Sequence, residues 1–355
     1  MSHFLQLHFL TVYPPSNPNR DDQGAPKSAS FGGTPRLRLS SQSVKRAARM
    51  SPVMQAALEG HLGSRTQRIG EVVRNALAAE GVVGDKADAA GKEITAIFGK
   101  FDVEAEKKGH IRSRQLAFVS PDEKAAAMAL GRRIAAGEKL AIDKNTILRT
   151  ADGAVDIAMF GRMLADSPEY NREAAVQVSH ALTTHRALAE DDFYSAVDDL
   201  KLPAEDAGAG FIGSAGFGSG VYYLYACVDV GLLIENLNGD ASLAARATEA
   251  LAEALATATP SGKRNSYAHQ TRAAFVRAEC GVQQPRSLAG AFLKAVTGED
   301  VLAASVKALE AEATGMTQAY GPCCDAEAVM NVAAGQGTLA DIRAFARTCV
   351  EQGVA

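Results

Sequence analysis

Residues 30–50 read Ser-Phe-Gly-Gly-Thr-Pro-Arg-Leu-Arg-Leu-Ser-Ser-Gln-Ser-Val-Lys-Arg-Ala-Ala-Arg-Met, and within them a short strand hands over to a helix. Alternation puts Arg36, Arg38 and Ser40 on one strand face and Leu37 and Leu39 on the other, which predicts an inward apolar pair and outward cations. Ser40 or Ser41 then caps the helix, leaving its first amide N–H groups aimed forward, with Gln42 and Ser43 as further hydrogen-bonding groups. Val44, Ala47 and Ala48 form the packing stripe. Lys45 and Arg49 stack four residues apart with Arg46 beside them, so cations, hydroxyls and a helix N-terminus converge on a site suited to phosphates.

A basic tetrad alone is usually an ordinary solvated helix face. Here the charge is segregated. From Arg20 to Met50 seven Arg and Lys stand against Asp21 and Asp22, a local charge of +5, so the rest of this −4 chain carries −9. A polyanion would be met by one edge and repelled by the acidic body.

Around this stretch, residues 4–13 alternate Leu5, Leu7 and Phe9 against Gln6 and His8, the pattern of a strand with one face on a core and the other open. Residues 14–30 hold four prolines with Arg20, Asp21, Asp22 and Lys27, a long loop leading into the basic patch. From about 60 to 190 the signals are helical: Ser64 with Gln67 reads as a capping box ahead of Ile69, Val72, Val73, Ala76 and Leu77. Ser120, Pro121 and Glu123 start a second helix, ended by Gly137, and Ser167-Pro168-Glu169 a third carrying Ala174, Val178, Ala181 and Leu182.

Six glycines among residues 208–220 forbid a regular helix and predict an extended, flexible excursion whose large groups are Phe211 and Phe217. Gly208, Gly210 and Gly213 match a dinucleotide-binding spacing by accident, since an acidic segment precedes them where that motif needs a buried strand. A strand over 221–229, a helix, a helix over 241–258, a loop flanked by Lys263, Arg264 and Arg272, a strand over 273–279 and three further helices follow. This order predicts an α+β fold with a ferredoxin-like or RRM-like antiparallel sheet and a large helical insertion.

Composition is that of a globular chain: 355 residues, 47% hydrophobic and 22% charged. The N-terminal apolar run lacks a basic lead-in and a small-residue cleavage site, so it reads as a strand, and residues 221–234 are too short an apolar stretch to span a bilayer. The expected location is the cytoplasm. The five cysteines show no Cys-x-x-Cys spacing and read as reduced thiols, and His180 and His185 are too differently placed to pair on a metal. Asp191, Asp192, Asp198 and Asp199 read as capping and solvated acid rather than a two-metal site. No Gly-x-Ser-x-Gly, His-Glu-x-x-His or phosphate-loop motif occurs, and no cofactor is expected.

Several stretches resemble CasC, the backbone subunit of the Cascade surveillance complex of type I-E CRISPR systems. They are Asn19 to Asp22, Phe31-Gly32-Gly33, Arg36 to Ala47, Asp156 to Met163, Ala196 to Leu200 and Gly218 to Tyr223. The resemblance implies a palm built from 1–57 and 221–355, helical fingers from 58–180, a connection over 181–193 and a Gly-rich thumb over 194–220. It implies a non-catalytic protein that polymerises along crRNA, presents its bases for pairing with target DNA, and works with other copies, other Cascade subunits and a recruited helicase-nuclease. By position it assigns RNA contacts to Arg20, Lys27, Arg38, Ser40, Gln42, Ser43, Lys45, Arg46 and Arg49, with Met163 and Phe217 as wedges against bases. Such a protein should grip phosphate and ribose and leave base edges free. The alternatives are a metal-dependent ribonuclease using Asp21 and Asp22, and an RNA chaperone, which the absence of an aromatic RNP-type strand and of any Trp disfavours.

Overall fold

The computed structural model describes residues 3–138, 143–196, 199 and 211–353. The chain opens with β1 (Phe4–Ser16) and a hairpin of β2 (Ser28–Phe31) and β3 (Thr34–Leu39). The hairpin turn is Gly32 and Gly33, at φ 60° and 74°, the left-handed pair that a two-residue turn needs and that glycine adopts without a Cβ penalty. β3 feeds α1 (Ser41–Arg49), and α2 (Pro52–Ala57) follows. A largely helical region comes next: β4 (Ser64–Thr66), α3 (Ile69–Ala79), α4 (Asp85–Phe98), α5 (Val103–Glu106), β5 (Ala117–Val119), α6 (Pro121–Ala135) and α7 (Val155–Phe160). Ile69, Val73, Leu77, Ile94 and Phe98 give most of it a core of its own.

The chain returns to the sheet through β6 (Val176–Val178) and β7 (Ala181–Thr183), then forms a hairpin arm from β8 (Glu190–Ala196) and the first part of the 19-residue β9 (Phe211–Asp229). It finishes with α8 (Val230–Asn236), α9 (Ala241–Thr257), α10 (Arg264–Tyr267), β10 (Ala273–Gly281), α11 (Val301–Tyr320), β11 (Ala326–Asn331) and α12 (Leu339–Gln352). The main sheet runs β11-β10-β1-β9-β7-β3-β2, and every pairing in it is antiparallel. One face packs Leu5, Leu7 and Phe9 against α9 and α12. No helix of the described residues is long and apolar enough to cross a membrane.

Several expectations need correction. The second face of β1 is not open: Gln6 and His8 are buried, because α11 and the turn before it cover that face through Leu288, Phe292 and Leu309. For the same reason Arg36 points into protein, at 0% exposure, where its guanidinium donates to the carbonyls of Thr183 (3.0 Å) and Phe292 (2.8 Å). Ser64 is strand, paired with Val119, and α3 starts at Ile69 without a side-chain cap. Ser167-Pro168-Glu169 begins only a single 3₁₀ turn, after which Val176–Val178 and Ala181–Thr183 pair with β9. Cys280 and Cys349 are joined as a disulfide, leaving Cys227, Cys323 and Cys324 free. The 221–229 strand extends back to Phe211, two helices and a 3₁₀ turn close the chain around an additional strand, and Asp191 and Asp192 lie exposed on β8 rather than capping a helix. Residues 201–210, the first half of the expected Gly-rich excursion, with Gly208 and Gly210, and Asp198 lie outside the described residues. The Ser120 capping box and the Thr338–Asp341 box are both present.

Candidate nucleic-acid interface

The N-terminus of α1 is built as its sequence dictates. Ser40 holds extended geometry and its hydroxyl accepts from Ser43 N, while Val44 and Ala48 bury the inner stripe and leave Gln42 and Arg46 exposed. The amide of Ser41 has another partner. It donates to His180 Nδ1 at 3.1 Å, and the same nitrogen lies 3.3 Å from Arg38 Nη1. Partial burial, with Arg38 and Lys27 nearby, lowers the pKa of His180, which favours the neutral ring able to accept both bonds.

The preceding loop is ordered against this end of the helix. Asn19 Oδ1 accepts from Ser40 N (2.8 Å), Lys27 N donates to Asn19 O (3.0 Å), and Arg38 N donates to Lys27 O (2.8 Å). Exposed Arg20 and half-buried Lys27 are thereby set beside Arg38. Asp21 is engaged within the loop, its Oδ1 accepting from Gln23 N and Ala25 N, while Asp22 is exposed. Among the described residues Glu279, Cys324 and Glu327 have metal-ligand spacing, and a second group, His3 with Cys280 and Cys349, is taken up by the disulfide; neither contains Asp21 or Asp22.

Along the helix the three cations separate. Lys45 is half-buried over the Phe160 ring (5.8 Å), and burial pushes its ammonium pKa down. Arg49 turns inward: its Nη1 meets the buried Asp156 Oδ2 at 3.4 Å and its guanidinium lies 5.2 Å from the Phe118 ring centroid. Burial raises the pKa of Asp156, although Gly63 N and Arg49 both support its charged form. Arg46 alone projects freely from that side. Lys45 and Arg49 therefore clamp α1 onto α7, which ends at Phe160, just before the turn that carries Met163.

Met163 is 77% exposed, yet its support is rigid. The neighbouring Arg162 is buried, its Nη1 paired with Glu123 at 2.6 and 2.7 Å and its Nη2 donating to Arg149 O and Tyr170 O. An apolar side chain held out to solvent on such a mount is available to lie against a base. Phe217 is placed differently. It pairs with Glu190 at the base of the arm and is half-buried, next to Gly216, whose carbonyl accepts from Asn17 Nδ2 (2.8 Å) while the same amide nitrogen donates to Gly24 O (2.9 Å). Gly216 is needed there, since a Cβ would come within 2.9 Å of Pro26.

The loop thus seats against α1 and, through Asn17, against the arm base, while Lys45 and Arg49 reach α7, which precedes the Met163 turn. Sequence reasoning missed three residues near these elements: His180, weighed only as half of a metal pair; Arg65, whose guanidinium lies 4.9 Å from the centroid of the Phe118 ring that Arg49 also meets; and Phe193, which stands 72% exposed on β8. Only Phe193 had a signal, the adjacent aromatic pair Phe193-Tyr194 directly after an acidic run.

The family model described as CT1975-like protein (Cas_CT1975) matches residues 5–351. The chain belongs to the CT1975-like family. The resemblance to CasC read from the sequence holds. This CT1975-like chain is similar to a solved chain described as "CRISPR RNA-guided surveillance complex, pre-nicking", with 30% identity and a TM-score of 0.84 over 98% of this chain and 100% of that one. A second, described as "CRISPR RNA-guided surveillance complex", matches at 25% identity and a TM-score of 0.61 over 97% and 99%. No curated protein matches the CT1975-like chain at a significant level.

Proposed function

We propose that the chain is a non-catalytic backbone subunit of a CRISPR RNA-guided surveillance complex of type I-E, which polymerises along crRNA in the cytoplasm. The reading is carried by the loop and α1 together, where Arg20, Lys27 and Arg38 lie beside the capped start of the helix and Lys45 and Arg46 follow along it. Cations, Ser40, Ser43 and Gln42 suit phosphate and ribose oxygens, which every guide shares, and none is arranged to read a base edge. Arg49 contributes to the field while holding α1 to α7. Met163 and Phe217 serve as wedges between bases.

The palm is RRM-like in this reading, supported by the strand order β10-β1-β9-β7 with α1 and α9 in the two crossovers, as a ferredoxin-like sheet requires. Residues 58–180 serve as fingers and 194–220 as a thumb reaching the next copy. Bound guide bases pair with target DNA, and other subunits with a recruited helicase-nuclease complete the work. The test is purification of the chain from cells carrying a guide array, with sequencing of the RNA that comes with it. Short RNAs sharing a constant part and differing in a variable one are expected; no RNA, or one host RNA, would sink the reading.

A further inference from the structure

Beside the surface just described, a cavity of about 510 Å³ opens between the end of α1, the start of α2, the segment after α9 and residues 270–272. That is room for a small ligand, since such sites span roughly 300–1,000 Å³. Its lining includes Arg46, Arg264 and Arg272 with Ser43, Thr259 and Gln270, and no Asp or Glu lines it. In a chain of net charge −4, three arginines around a space free of carboxylates make a strongly positive pocket. Among the described residues none of the three has a carboxylate partner.

The pocket is also built. Arg264 Nη2 donates to Thr259 O at 2.7 Å, which fixes the guanidinium while its Nε stays enclosed with no hydrogen-bond partner. Thr271 Oγ1 anchors the opposite wall to Val12 O (2.7 Å), and His269, buried, contacts Pro260 O. Lys263 and Ala268, on either side of α10, sit at φ 47° and 50°. Such conformations cost energy in residues with a Cβ, and proteins keep them where a loop must hold a functional shape. Gly262 packs against Pro18 O, where a Cβ would come within 2.4 Å, so this wall abuts the loop that carries Arg20 and Lys27.

We infer that this cavity is a second backbone site for the guide, taking an RNA phosphate between Arg46, Arg264 and Arg272 with the adjoining ribose against Met50 and Pro260. The inference rests on the guide-binding reading. Arg46 and Ser43 belong both to α1 and to the cavity wall, so a strand lying on α1 enters the cavity without a gap, which favours RNA over an acidic peptide. Arginine forks and hydroxyls match phosphate oxygens, and the apolar rim matches the sugar.

The experiment measures affinity of the full chain for a guide-length single-stranded RNA across a salt series, by fluorescence anisotropy, with array length followed by sedimentation. Arg272→Ala, which removes no structural bond, should weaken binding on the order of 10-fold and lower the salt slope by about 0.7, the value for one phosphate contact on a single strand. Arg264→Lys, which keeps the charge and loses the fork, should weaken binding less than Arg272→Ala and leave the slope closer to wild type. If Lys45→Ala weakens binding but Arg272→Ala changes neither affinity nor slope, the cavity proposal is overturned and the guide-binding reading stands. If wild type fails to bind, or neither variant matters, the guide-binding reading falls and takes this one with it. Unchanged affinity with shortened arrays would assign the cavity to an acidic segment of a second copy, and would overturn the RNA proposal.

Discussion

Arg36 and Arg38 stand two apart on one strand and do opposite things. Arg36 satisfies two buried carbonyls, so Arg36→Met should leave both without a donor and lower stability by about 2 to 4 kcal/mol in chemical denaturation. Lys45 and Arg49 separate in the same way. Lys45→Ala should reduce RNA affinity uniformly across guide sequences and flatten the salt slope by roughly 0.7, with a smaller loss of melting temperature than Arg49→Ala because only its packing on Phe160 goes. Arg49→Ala should lower both, because it also strips a buried carboxylate of its partner; a melting temperature equal to wild type would show that the Asp156 pair has no structural weight. These differences were partly legible. The spacing of Val44 and Ala48 and the cap at Ser40 follow from local rules and came out as read. Arg36 did not, because period-two alternation tells which residues share a face and is silent on whether a later segment, here Ala289–Phe292, covers it.

At the level of elements, errors arose where a distant strand outcompeted a local signal. Ala174, Val178, Ala181 and Leu182 have helical spacing, but Val176 and Val178 are β-branched and pair with Val228 and Ala226. Likewise Ser64 lies five residues before α3 and joins Val119 instead. Where a cap acts within one turn, as at Ser120, the reading survived. The hairpin arm is the element most open to test. Replacing residues 191–215 with a short Gly-Ser linker should leave the monomer folded, since β1, β10 and the rest of β9 keep their pairing, while long arrays on guide-sized RNA should be lost. Phe193→Ala should give a milder shortening, at about 1 to 3 kcal/mol if the ring stacks on a base. Array lengths equal to wild type by sedimentation would remove the arm from assembly.

For the whole molecule, the sheet face under α11 carries a polar network that governs pH dependence. His8 Nδ1 accepts from the Tyr223 hydroxyl, which in turn accepts from Leu288 N, while His8 Nε2 lies 3.8 Å from Glu279. Burial lowers the pKa of His8, outweighing Glu279, so the folded protein keeps it neutral while the unfolded chain takes up a proton below about 6.5. Burial would raise Glu279, but His8, Arg286 and Arg277 together hold it well below the usual carboxylate range. Both groups bind more protons when unfolded, so stability should fall as pH drops: through His8 below about pH 6.5, and through Glu279 below about 4.5. Melting temperatures from pH 8 to 4 would measure this, and His8→Gln should flatten the upper part; an unchanged slope would show that His8 is not responsible. The arm is joined to this body at its base, where Asn17 grips Gly216 opposite Asp191, and the last five residues of β8 extend about 17 Å beyond. It is a lever with its fulcrum beside Lys27: by that length, a turn of about 10° at Gly216 carries the tip about 3 Å, more than half a strand spacing. Small changes in how the loop seats are therefore amplified, and the side-chain amide of Asn17 sets the gearing.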